Sequence, residues 1–194
     1  MARSKVFDEE LVLRNAMNLF WEKGYNATSA QDLTESLAIS RSSLYDTYGD
    51  KHSLFIKALR LYRTERFDST MKEASETPDA EAWLRMLFES VKADALGSGS
   101  VKGCFMVNTA VELAASDTEV ADIVNNIMAD FDAAARKVIK KGQENGTITT
   151  RHSARALARF VFNALNGIRV TVKFNTGKQV FEDIIAVCLS ALKA

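Results

Sequence analysis

Proline is almost absent: Pro78 is the only one in 194 residues. Long stretches therefore run without a breaker, with apolar residues three and four apart. That spacing suits helices and not strands. Cysteine is scarce too. Cys104 and Cys188 are too few and too far apart for a disulfide framework, and a reducing cytoplasmic setting fits them. The two histidines, His52 and His152, have no metal-ligand spacing with each other or with the cysteines. Neither a metal nor a cofactor is expected. No apolar run reaches membrane-spanning length; the longest, Ile184 to Leu192, is interrupted by Ser190. The opening MARSKVFDEE is charged and has no apolar signal core. Excess charge is missing as well, since 25 basic residues meet 25 acidic ones. Bulk charge does not announce a nucleic-acid partner, but a groove reader needs only local cations at phosphates. Arg3, Lys5, Arg14, Lys23, Arg41 and Lys51 supply them near the N-terminal end of the chain. Catalytic signatures are lacking. No Gly-x-Ser-x-Gly elbow occurs. Gly97, Gly99 and Gly103 follow no strand and precede no Lys-Ser/Thr, which excludes a nucleotide loop.

What is present is a helical pattern over a chain long enough to bury a real core. The fold class is all-α, with about nine helices. Asp8 caps the first, which Gly24 ends, with Val12, Ala16, Leu19 and Phe20 as its inward stripe. Asp50 caps a fourth helix that buries Leu54, Phe55, Ala58, Leu59 and Tyr62 and runs to a break at Glu76-Thr77-Pro78-Asp79. Further helices are expected over Ala80 to Leu96, Cys104 to Ala114, Asp117 to Asn145, Arg151 to Phe174 and after Gly177. A flexible loop is expected over 96–100.

The most informative segment is TSAQDLTESLAISRSSLYDTYGDK, Thr28 to Lys51. Ser29 to Leu37 suits a short helix, with Thr28 as N-cap and Gln31 completing a capping box. Ala38 and Ile39 make a tight corner. Ser40 then caps a second short helix, Arg41 to Tyr48. Two short helices joined by such a turn form the helix-turn-helix unit, whose second helix enters the DNA major groove. Arg41, Ser42, Ser43, Tyr45 and Thr47 are all able to hydrogen-bond phosphates or base edges.

Gly24-Tyr25, Thr28-Ser29, Leu44-Tyr45, Tyr48 and Lys51 fall in the order and spacing of a known pattern. Residues 8 to about 60 resemble the tetracycline-repressor (TetR/AcrR) family of bacterial transcription regulators. The resemblance implies a DNA-binding head, residues 1–50, and a helical ligand-binding and dimerisation domain, residues 51–194. It implies double-stranded, palindromic operator DNA as one partner, and a small-molecule effector as another. It also implies a homodimer through the two C-terminal helices. Thr28, Ser29, Ser40, Arg41, Ser42, Ser43, Tyr45, Thr47, Tyr48 and Lys51 are the DNA-binding candidates. Ser42 stands where the family often has Gly or Ala, and Thr47-Tyr48 where it often has His-Phe. Both departures touch the groove-facing surface. The segment GCFMVNTAVEL is similar to a stretch in a subgroup, some of whose members respond to electrophiles or oxidants. Cys104, at a helix start beside Lys102, is the sensor this would imply, with Lys173 as a partner.

The ligand-binding candidates are Trp83, Phe88, Cys104, Phe105, Asn108, Phe131, Phe160 and Asn163. Aromatics at helical spacing line a pocket or fill a core. A lone amide on an apolar face, as at Asn108 and Asn163, orients a ligand or satisfies a backbone group. Two other functions fit the same pattern: a helical protein-interaction module without DNA binding, and a small helical enzyme.

Overall fold

The protein is described from a computed structural model, which covers residues 7–97, 102–174 and 177–194. Arg3, Lys5 and residues 98–101 of the expected loop lie outside the described residues.

Capping chemistry sets the first helices. Asp8 accepts from the N–H groups of Glu10 and Leu11 and opens α1, Glu9–Lys23. The opening of α2, Ala30–Leu37, differs from the sequence expectation. Its N-cap is Ser29, and the box closes with Asp32 rather than Gln31. Thr28 cannot cap because its hydroxyl is turned back onto the Gly24 carbonyl, 2.5 Å away. The corner is Ala38, held left-handed at φ 53°. Ser40 caps α3, Arg41–Tyr48, and Asp50 caps α4, Lys51–Arg63.

The expected long fourth helix is interrupted. A π turn, Thr64–Asp68, joins α4 to α5, Ser69–Glu76. Apolar periodicity does not register one inserted residue, so the sequence reads straight through it. Then come α6, Ala80–Leu96, α7, Phe105–Leu113, and α8, Thr118–Glu144. Helix α9, Ala154–Thr171, ends in a 3₁₀ turn, Val172–Phe174, before α10, Lys178–Leu192. Counting α4 and α5 as one interrupted helix, the described residues form nine α-helices and no strand; the nearest approach to a strand is an isolated bridge between Ile148 and Lys193.

Two buried clusters hold the helices. One joins Val12, Phe20, Leu33, Leu44 and Phe55 of the first four helices to Phe105 and Leu113 of α7 and Val120 and Ile127 of α8. The apolar core therefore runs past residue 50 without a seam. The other packs α6, the rest of α8, α9 and α10 around Trp83, Phe88, Phe131, Val161 and Phe181. Gly142 lets α6 approach α8: a Cβ there would stand 2.4 Å from Ile148 Cγ1 and 2.7 Å from Ala80 Cβ.

Candidate nucleic-acid interface and effector cavity

Leu33, Leu37 and Leu44 are buried and anchor α2 and α3 on α1 and α4. The opposite side of α3 is left to solvent. Ser40, Arg41 and Ser42 are exposed, and Ser43, Tyr45 and Thr47 half-exposed. The Ser40 Oγ accepts from the Ser43 N–H at 3.1 Å and lies 3.0 Å from the Ser42 Oγ. Arg41 holds its guanidinium 5.7 Å from the Tyr45 ring centroid. That contact orients a long cation without burying it. Lys51 begins α4 with its Nζ 4.3 Å from the Tyr25 ring centroid, and partial burial lowers its pKa. Ser29 is exposed beside its capping partner.

Two expected contact residues point elsewhere. Thr28 is fully buried. Tyr48 is buried too, and its hydroxyl donates to the Glu9 carbonyl at 3.0 Å, which ties α3 to the start of α1. Burial raises its phenol pKa. Both hydroxyls are used inside the head, so their side chains brace the reading helix and do not face the groove.

A cavity of about 320 Å³ opens between the head and the helices behind it. Cys104 and Phe131 line it. The other expected lining residues do not. Trp83 stacks on Phe131 from within the core, Phe88 is fully buried, and Phe105 is wedged edge-on between Phe55 and Tyr62. Asn108 donates to the Lys102 carbonyl at 2.8 Å, so its amide satisfies backbone. Asn163 is exposed, and Phe160 is 40% exposed on the outer face of α9. Periodicity marks a helix face as apolar, but it does not say which neighbour that face meets.

The cavity instead recruits residues that the sequence did not mark as its lining: Trp21, Tyr62, Arg66, Lys102, Phe162 and Arg169. Arg66 comes from the π turn. Trp21 belongs to α1 of the head; its Nε1–H donates to the Gly103 carbonyl at 3.2 Å, and its ring meets Tyr62 edge-on at 5.1 Å. The Tyr62 hydroxyl donates to the Cys104 Sγ at 3.4 Å, and burial first, then Cys104, pushes the Tyr62 pKa well up.

Helix α7 connects this cavity to the reading head. Its N-cap is Cys104. Near its other end, Glu112 accepts from the Tyr25 N–H at 3.1 Å and the Asn26 N–H at 2.7 Å. This carboxylate clasps the loop that leads into α2. Gly24 makes room for it: φ is +86°, and a Cβ there would stand 3.0 Å from the carboxylate. A second strap joins His52 Nε2 of α4 to Asp117 Oδ2, the N-cap of α8, at 2.7 Å.

A three-helix reading head on a helical body matches two family descriptions. Residues 12–58 match the bacterial regulatory proteins of the tetR family. Residues 80–187, more than half the chain, match the tetracyclin repressor-like C-terminal domain. The chain belongs to the TetR family. That family is one of DNA-binding transcription regulators and not of enzymes. Among its relatives is YezE of Bacillus subtilis, an uncharacterized HTH-type transcriptional regulator, 29% identical over 193 residues, covering 99% of this chain and 100% of that protein. The Escherichia coli repressor ComR is 28% identical over 174 residues, covering 88% of this chain and 82% of ComR. Among solved structures, a cysteine-substituted form of the TetR-family regulator CifR, in complex with a 26-bp operator duplex, superposes with a TM-score of 0.86. It is 24% identical and covers 98% of this chain and 100% of the other. No helix among the described residues is long and apolar enough to cross a membrane.

Proposed function

We propose that this protein is a homodimeric, ligand-responsive repressor that leaves its operator when a small molecule fills the cavity. The observation that carries this reading is Trp21, a residue of the DNA-binding head that is also part of the cavity wall. Residues 1–50 act as the reader and residues 51–194 as the sensing and dimerising body. Ser29, Ser40, Arg41, Ser42, Ser43, Tyr45, Thr47 and Lys51 form the DNA-contacting set. Repression is supported by the description of ComR, and of DhaR from Mycobacterium, as transcriptional repressors. The cytoplasm is the compartment where such a protein meets DNA.

The mechanism is a population shift. A ligand acts only through its differential affinity for two arrangements. In the dimer, the two α3 helices must stand about 34 Å apart to meet successive major grooves. An occupant of the cavity displaces Trp21 and the start of α7. Through α7 it also bears on Glu112 and the loop before α2. This gives the signal a route besides α4, which begins the body and packs into the core of the head.

The test is capture of the DNA bound by the protein in cells, followed by titration of the recovered sequence. Expected is a palindromic site whose affinity falls as salt rises, the mark of phosphate contacts. Failure to enrich any sequence over bulk DNA would refute the reading.

Cys104 supports a second mode of release. Its thiol lines the cavity beside the Tyr62 hydroxyl, so an electrophile small enough to enter meets it. With N-ethylmaleimide, the sulfur–carbon bond forms and the thiol proton passes to the adjacent ring carbon. Wild type is expected to lose operator binding on treatment, and Cys104→Ser to retain it. Cys188, on α10 and not part of the cavity lining, serves as the control. Equal loss in both proteins, or in neither, removes covalent sensing.

A further inference from the structure

We infer that the effector of this cavity is a small organic anion, a carboxylate carried on a flat apolar body. The inference rests on the reading of this cavity as the effector site. Its lining holds three cations, Arg66, Lys102 and Arg169, against one carboxylate, Asp94. Two of the cations are spoken for. Arg66 Nη1 lies 3.5 Å from Asp94 Oδ1, and Lys102 Nζ lies 3.5 Å from Glu22 Oε2.

Arg169 differs. Its Nη1 donates to the neutral amide oxygen of Asn166 at 3.1 Å, and its guanidinium stands 5.8 Å from the Phe67 ring centroid. Among the described residues no carboxylate is placed within ion-pair distance of it. A half-buried guanidinium has lost part of its hydration, and neither an amide nor a ring face replaces a counter-ion. The fork of N–H groups that remains is the shape that a planar carboxylate fits with two parallel hydrogen bonds.

The neighbours point the same way. The Tyr62 hydroxyl, kept neutral by burial and donating to the Cys104 Sγ at 3.4 Å, adds no competing negative charge to this wall. On the apolar side stand Phe131, whose ring lies 5.1 Å from that of Phe162, and Leu165, which give a flat body something to lie against. A volume of about 320 Å³ is at the low end for small-molecule sites, so the ligand is compact.

Charge is what the site selects, so matched pairs test it. Benzoate, cinnamate and 2-naphthoate are titrated calorimetrically into the full-length dimer beside their primary amides, which keep the shape and lose the charge. At least one carboxylate is expected to bind ten-fold or more tighter than its amide. Arg169→Gln is expected to abolish that preference, and Arg169→Lys to restore part of it. Amides binding as well as acids, no binding by any acid, or an undiminished preference in Arg169→Gln would each overturn the inference. Operator release is followed in parallel. Acids that bind without releasing DNA leave the anion site standing and remove the effector reading on which it was built.

Discussion

Val187→Asp is expected to split the protein into folded monomers and to weaken operator binding by a factor of roughly 10²–10⁴, the avidity lost when two half-sites are no longer held together. Val187 is 66% exposed in the single chain, the wrong environment for a valine on a structured helix. Val180 lies two turns earlier on the same helix and is also exposed; on α9, Phe160 and Val170 are exposed. These positions form apolar stripes on adjacent helices that the chain's own core leaves uncovered, as a two-fold helical interface requires. A carboxylate introduced there would be buried without a partner in the dimer, a cost on the order of 3–5 kcal/mol. It would cost the folded monomer little, because the site is solvated there. Ile184, apolar and on the same helix, is a poorer place to cut. It packs against its own core, so a charge there unfolds the chain and reports nothing about assembly. Light scattering with circular dichroism separates the two effects. A helical protein that remains a dimer after Val187→Asp would place the interface elsewhere.

Arg41→Ala carries the second large effect. A guanidinium reading a base edge is worth about 1–3 kcal/mol, so operator affinity is expected to fall between several-fold and about a hundred-fold. The loss should be greatest at one base-pair position and small on unrelated duplex. Lys51→Ala is expected to behave differently, weakening binding to all sequences and lowering the salt slope by about one. Tyr48→Phe is the internal control. It removes only the hydrogen bond to the Glu9 carbonyl, so it is expected to cost about 1 kcal/mol of stability and leave base preference intact. Titrations against a set of singly substituted operators distinguish these outcomes. An Arg41→Ala protein with unchanged affinity at every position would remove Arg41 from the reading surface.

Sequence by itself determined most of the helices, their caps at Asp8, Ser40 and Asp50, the all-α class and the DNA-reading unit. These depend on residues within one or two turns of each other, where capping chemistry and a 3.6-residue period act directly. The inward turn of Thr28 and Tyr48 was not legible, because a hydroxyl can serve a neighbouring carbonyl or a phosphate equally well. Nor was the division of apolar faces. Phe160 and Phe131 read alike along the chain, yet one is on the outer face and one lines the cavity. Only tertiary structure decided that Trp21 and Arg169, 148 positions apart, share a wall. Only tertiary structure set Glu112 on the loop before α2, 86 and 87 positions away. Such pairings are fixed by how packed helices cross, and that depends on the shapes of all the side chains between them.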